Sequence, residues 1–64
     1  MKKEKTIVKL LKNNKVFGQA EFTDYYKSLD YAKVKCREGF TCMILRLSNG
    51  NEWLKFYLTP PQNL

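Results

Sequence analysis

The chain has 64 residues, of which 44% are hydrophobic and 14% aromatic, so a single small packed domain is expected and wholesale disorder is not. The formal net charge is +6, and no apolar run approaches the roughly 18 residues of a membrane-spanning helix. We expect a soluble, cytoplasmic protein with no membrane partner. Its ordered core should cover about residues 5–59, with tails at 1–4 and 60–64.

The first hairpin is predicted from two β-rich segments on either side of an asparagine pair. Residues 5–12 and 16–22 read as strands, and Asn13 and Asn14 tolerate the left-handed conformation of a tight turn. The apolar alternation is imperfect, and Gly18 interrupts the second strand. A β-bulge near Lys9 or Gly18 would reconcile the pattern.

A helix is predicted over about residues 29–38. Ser28 is a suitable N-cap, with Thr23 as a rival, and Asp30 would then lie in the first turn, where negative charge favours the helix dipole. Gly39 is expected just after the last helical turn. Its apolar stripe, at helical spacing, consists of Leu29, Ala32 and Cys36.

The second hairpin carries the strongest turn signal in the chain. Asn49-Gly50 is typical of a type I′ turn, which requires positive φ at both central residues. Residues 40–47 and 51–59 form the predicted strands, and Pro60 and Pro61 end the last one. The chain shows no convincing sequence repeat. The expected fold is a two-layer α+β domain of order ββαββ, a four-stranded antiparallel sheet with one helix on one face.

Counting outward from a regular two-residue turn predicts which side chains share each face of the second hairpin. The mostly aliphatic row should lie under the helix, because it matches the narrow helical stripe. The opposite row would remain open to solvent. The predicted core row is Thr41, Met43, Leu45, Leu47, Glu52, Leu54, Phe56 and Leu58. The predicted open row is Phe40, Cys42, Ile44, Arg46, Trp53, Lys55, Tyr57 and Thr59.

The open row mixes aromatic, apolar and cationic side chains and contains no acid, which is typical of a binding surface. Two classes of function fit it. A nucleic-acid-binding domain would use aromatic residues for base stacking and lysines for phosphates. A protein-interaction module would use the same face for an acidic partner protein, as a homodimer, or as a small inhibitor or regulator of a host protein. The candidate binding residues are Phe40, Ile44, Arg46, Trp53, Lys55 and Tyr57, together with Lys5, Lys9, Lys12 and Lys15.

Two plainer interpretations stay open. Trp53 and Tyr57 would pack against the first hairpin, or Arg46 would stack on Trp53. The N-terminal lysines would protect a strand edge from aggregation, without any ligand.

The sequence offers little for catalysis. It has no histidine, its six acids are scattered, and its three glycines form no phosphate-binding loop. We therefore expect no enzymatic activity, no cofactor and no metal site. Cys36 and Cys42 are expected to be free thiols in a reducing compartment. They should not bond to each other, because the predicted register puts the sheet between them.

Overall fold

The computed structural model describes residues 3–61 and contains one sheet and one helix. The strands are β1 (Glu4–Lys12), β2 (Lys15–Phe22), β3 (Thr41–Ser48) and β4 (Asn51–Leu58), and the helix is α1 (Tyr25–Arg37). The sheet is antiparallel in the order β2-β1-β3-β4. The predicted two-layer ββαββ fold is thus confirmed. Of the predicted tails, residues 1–2 and 62–64 lie outside the described residues.

Both hairpins close with a two-residue turn, as predicted for the second hairpin and one residue shorter than the predicted connection in the first. Asn13 and Asn14 have φ values of 53° and 65°, and Asn49 and Gly50 have values of 53° and 84°. Positive φ at both central residues matches the right-handed twist of the flanking strands, which is the reason type I′ turns prevail in short hairpins. Asn49 also accepts a hydrogen bond at Oδ1 from the Lys3 backbone N–H (3.1 Å), so the turn is tied to the start of the chain.

Each hairpin contains a β-bulge at the same place. In the first, Leu11 pairs with Val16 and Leu10 with Gly18, which leaves Phe17 as the extra residue. This confirms the bulge predicted near Gly18. The second hairpin has an extra residue at Trp53, the third position after its turn, as Phe17 is in the first. The two hairpins therefore share one design, although the sequence shows no repeat, and both bulges lie on edge strands, where they add twist.

The helix begins four residues before its predicted start. Asp24 is the N-cap, and its Oδ1 accepts hydrogen bonds from the backbone N–H groups of Tyr26 (2.9 Å) and Lys27 (3.4 Å). The prediction of Ser28 as N-cap was wrong: Ser28 is buried within α1, where its hydroxyl donates to the Tyr25 carbonyl. As a result Asp30 does not lie in the first turn, which contains no acid.

The end of the helix follows the prediction. Gly39 has a φ of 99°, its N–H donates to the Cys36 carbonyl (3.0 Å), and the Phe40 N–H donates to the Lys35 carbonyl (3.1 Å). This pair of bonds is the Schellman motif, which needs a left-handed residue at the glycine position.

The core lies between α1 and the two central strands. The helix contributes its predicted stripe, with Ala32 and Cys36 buried and Leu29 packed beside them. The central strands β1 and β3 contribute even-numbered side chains, of which Val8 and Ile44 are fully buried and directly paired. Neighbouring side chains in a strand point to opposite faces. The odd-numbered side chains of β1 and β3 therefore form the face that α1 does not cover.

Candidate functional site

The predicted faces of β3 were wrong, and the bulge at Trp53 is the reason. The pair Leu47–Glu52 is as predicted, but Arg46 then pairs with Leu54 and not with Trp53. A one-residue slip exchanges the faces of a strand. Of the predicted core row, Thr41, Met43, Leu45, Leu47 and Glu52 belong to the uncovered face. In β4, by contrast, Leu54, Phe56 and Leu58 do share the helix side, as predicted.

Three predicted binding residues lie on the helix side of the sheet and not on the uncovered face. Ile44 is fully buried, and Phe40 packs against the same core. Arg46, on the same side of β3, has its guanidinium carbon 4.0 Å from the centre of the Tyr25 ring at the start of α1. The assignment of Phe40, Ile44 and Arg46 to an open surface was therefore wrong.

Trp53 also belongs to the helix side. Its ring centre lies 4.9 Å from the guanidinium carbon of Arg46, so the cation lies against two aromatic rings, those of Trp53 and Tyr25. Glu4 lies 3.8 Å from the Arg46 guanidinium and neutralises part of its charge. Arg46 thus stacks on Trp53, which was one of the two plainer interpretations, and it also contacts the ring of Tyr25. Cation–π contacts at partly exposed sites contribute roughly 0.5–1 kcal/mol each, which gives the cluster a structural role.

Two predicted binding residues of β4 do lie on the uncovered face. Lys55 pairs with Leu45, and Tyr57, half exposed at 52%, pairs with Met43. Cys42 and Thr59 were predicted to share this row, but neither lies on the uncovered face within a strand. Cys42 is buried under the helix, and Thr59 lies beyond the end of β4.

The four predicted lysines are divided between the two faces. Lys5 and Lys9 lie on the uncovered side of β1, and Lys5 forms an ion pair with Glu21 (3.6 Å). Lys12 lies on the helix side, with its Nζ 5.3 Å from the Phe40 ring centre. Lys15 is exposed and pairs directly with Lys12 across the first turn. The lysines therefore do not form one continuous phosphate-binding row.

The uncovered face has an aliphatic centre that sequence reasoning missed. Across β1 and β3, Ile7 pairs with Leu45, while Lys9 pairs with Met43, and all four side chains are partly exposed. The only signal for this row was the near-absence of polar residues on either face of β3. We call the aliphatic side chains of this face the open-face strip. They are Ile7, Leu11, Met43, Leu45 and Leu47.

Charged residues border the open-face strip. Lys9 and Lys55 contribute positive charge beside it, and Glu21 and Glu52 contribute negative charge at the two edge strands. The prediction that this face carries no acid was therefore wrong. Because Glu21 is paired with Lys5, Lys9 and Lys55 remain as cations available next to the aliphatic side chains.

A groove of about 480 Å³ lies at one end of this face. Ile7 and Leu47 of the open-face strip line it, and Lys3 and Lys5 contribute cations. It joins the start of β1, the residue Thr23 after β2, and the turn of the second hairpin. Glu4 also lines the groove, so a partner side chain of modest size could enter there beside a rim of mixed charge.

The two cysteines are not bonded to each other, as predicted. The predicted reason was wrong, because the sheet does not lie between them. Both lie on the helix side, with Sγ atoms 3.8 Å apart. The Cys36 thiol also lies 3.4 Å from the Leu58 carbonyl, and the Cys42 thiol donates to the Ala32 carbonyl at 3.5 Å. Burial raises the pKa of the Cys42 thiol to about 12, helped by the hydrogen bond and charge of Cys36.

Comparisons with protein-family models, with curated proteins and with solved structures found no match. Within residues 3–61, no helix is long and apolar enough to cross a membrane. In the same range, no group of three or more histidine, cysteine or acidic residues is placed to hold a metal ion. The function is therefore inferred from the surfaces of the molecule alone.

Proposed function

We propose that the protein is a small, non-enzymatic interaction module that binds an acidic partner protein through its uncovered sheet face. The observation that carries this proposal is the open-face strip, a row of aliphatic side chains on both central strands with Lys9 among them. Contiguous apolar surface on a small domain is typical of an interaction site. A central apolar patch with a charged rim is also the usual anatomy of a protein–protein interface.

Charge favours an acidic partner over a second copy of this chain. The net charge of +6 would oppose self-association, and the cations Lys9 and Lys55 lie on the face that a dimer would use. A partner with carboxylates around an apolar patch would instead complement them. Such complementarity raises association rates and selects among partners.

Nucleic acid is the second candidate, and the net charge of +6 is the observation in its favour. The aromatic side chains intended for base stacking, however, lie on opposite sides of the sheet. Trp53 is packed on Arg46, whereas Tyr57 lies on the uncovered face. A single-strand binder would instead align aromatic residues with cations along one groove. The geometry therefore supports protein binding better. Free thiols fit a reducing compartment, so we place the protein in the cytoplasm.

The test is capture of partners from a nuclease-treated cell lysate with tagged protein and two matched variants. Leu45→Asp introduces a charge into the middle of the open-face strip. Val34→Asp introduces the same charge at a 50% exposed position of α1 and is the control. We expect the wild type and Val34→Asp to retain the same partner and Leu45→Asp to lose it. Equal retention by all three would contradict the proposal.

Charge-reversal variants and the salt dependence of binding then distinguish an acidic partner protein from nucleic acid. Lys9→Glu and Lys55→Glu should each weaken partner binding, with Lys27→Glu, exposed on α1, as the control. Binding through an apolar centre should fall only modestly with added salt. Phosphate binding would fall steeply and would disappear after nuclease treatment. Sedimentation of the purified protein alone would reveal a homodimer, which is the outcome that the charge argument opposes.

A further inference from the structure

Cys36 and Cys42 form a close pair that the proposed function does not use. Their Sγ atoms are 3.8 Å apart, although one residue belongs to the last turn of α1 and the other to β3. A disulfide joins sulfurs at roughly 2.05 Å, so a bond between them requires the two sulfurs to move closer than they are in this structure. Both side chains lie on the same side of the sheet, and no other layer separates them.

Cys36 is nearly buried, with 6% of its surface exposed, but it borders a cavity that opens at the surface. It lines a cavity of about 250 Å³ between the end of α1 and the end of β4. Lys33, about one helical turn before Cys36, and Arg37, the residue after it, line the same cavity. Cys42 is fully buried behind Cys36 and does not line this cavity. The arrangement thus comprises a thiol on the wall of a cavity that two cations also line, with a second thiol in contact behind it.

We propose that Cys36 and Cys42 are a redox-active dithiol, and that Cys36 reacts in this cavity with small disulfides that carry carboxylates. Lys33 and Arg37 would attract the carboxylates of such a reagent and hold its sulfur atoms near Cys36. Neighbouring cations favour the thiolate, which is the reactive form of a cysteine. Transient disulfides are also the form that cytosolic redox sensing usually takes.

The reaction balances in two exchange steps. Cys36 Sγ loses its proton to solvent and attacks one sulfur of the small disulfide. The S–S bond of the reagent breaks, a mixed disulfide forms at Cys36, and one small thiolate leaves and takes up a proton. Cys42 Sγ then loses its proton and attacks the Cys36 sulfur, which forms the Cys36–Cys42 bond and releases the second small thiol. In total the protein loses two protons and two electrons, and the reagent gains them as it becomes two thiols.

Burial divides the roles between the two thiols. The raised pKa of the Cys42 thiol keeps it protonated at neutral pH, so it is poorly suited to the first attack. Its position behind Cys36 suits the second step. We therefore expect the mixed disulfide to accumulate first and the internal disulfide to follow more slowly, faster as the pH rises towards the pKa of Cys42.

The first test uses the full-length, folded protein with oxidised glutathione and follows its intact mass over time. We expect a gain of one glutathione, and then its loss to leave a product two hydrogens lighter than the starting protein. Peptide mapping should place the final bond between Cys36 and Cys42. A native protein that stays unmodified until denaturant is added would overturn the proposal.

Two variants assign the steps. Cys42→Ser should stop at the mixed disulfide and retain the glutathione, whereas Cys36→Ser should gain none. Circular dichroism shows whether each variant is folded, and the wild-type measurement decides the proposal if either is not. Equal modification of the two variants would overturn the assignment of Cys36 as the thiol that reacts first.

A third comparison tests the cations. The double variant Lys33→Gln/Arg37→Gln should react several-fold more slowly with oxidised glutathione but at the wild-type rate with neutral hydroxyethyl disulfide. Lys27→Gln, in the first turn of α1, is the matched control and should match the wild type with both reagents. Equal slowing with both reagents would overturn the preference for carboxylate-bearing disulfides.

Discussion

Ile44 and Leu45 are consecutive aliphatic residues in the middle of β3, yet their surroundings differ completely. Ile44 is fully buried under α1, whereas Leu45 is partly exposed on the face that the helix leaves uncovered. The contrast runs through the first part of the strand, where the buried Cys42 and Ile44 alternate with the partly exposed Met43 and Leu45. Since both rows are apolar, residue type does not determine which row is core. The position of the helix does.

The largest expected effect comes from truncating these two neighbours. Ile44→Ala should lower the free energy of unfolding by about 2–5 kcal/mol, because it leaves a cavity between the sheet and α1. Leu45→Ala should cost less than about 1 kcal/mol, since its side chain is partly solvated already. Chemical denaturation of both variants measures the difference. Equal costs, or a larger cost for Leu45→Ala, would mean that the faces are reversed.

A pH dependence should follow from Cys42 on the covered face. Its folded-state pKa is raised from 9.0 to about 12, so its neutral form is favoured by folding. This contribution is fully present below pH 9 and is lost as the pH rises towards 12. The slope cannot exceed about 1.4 kcal/mol per pH unit for one proton. Between pH 8 and pH 11, the free energy of unfolding should fall less steeply with pH for Cys42→Ala than for the wild type. Identical slopes would contradict this account.

The helix that distinguishes the two faces depends on its cap. Asp24→Ala should lower the free energy of unfolding by about 1 kcal/mol, because it removes the acceptor for the first N–H groups of α1. Asp30→Ala is the control, since Asp30 is exposed and lies outside the first turn. Thermal melts of the two variants decide the matter. If Asp30→Ala were the more destabilising change, the helix would start where the sequence predicted.

The fold could be predicted because its signals are local. Asn13-Asn14 and Asn49-Gly50 mark the two turns, and Gly39 marks the end of the helix through its positive φ. Two hairpins and one amphipathic helix of this length leave few arrangements other than a two-layer domain. The start of α1 was missed because Ser28 and Asp24 are both good capping residues.

The candidate site was harder to predict because it depends on register. Gly18 signalled the first bulge, but the residues around Trp53 give no such signal, since a large aromatic residue fits a regular strand equally well. One uncounted residue moved Ile44 and Arg46 to the covered face and Leu45 to the open one. Lys55 and Tyr57, beyond the bulge in β4, kept their predicted side.

The smallest expected effect is also the most direct test of this register. Deleting Trp53 removes the extra residue of the bulge, so Leu54 would still pair with Arg46 and every other side chain of β4 would keep its face. The cost should be about 0.5–1 kcal/mol, the usual contribution of the contact between an aromatic ring and a cation. Deleting Tyr57, which lies in the regular ladder opposite Met43, would instead turn Leu58 out of the core. That control should lose most of the stability of the domain. If the deletion of Trp53 were as damaging as the deletion of Tyr57, Trp53 would be a regular ladder residue and the open-face strip would be part of the core.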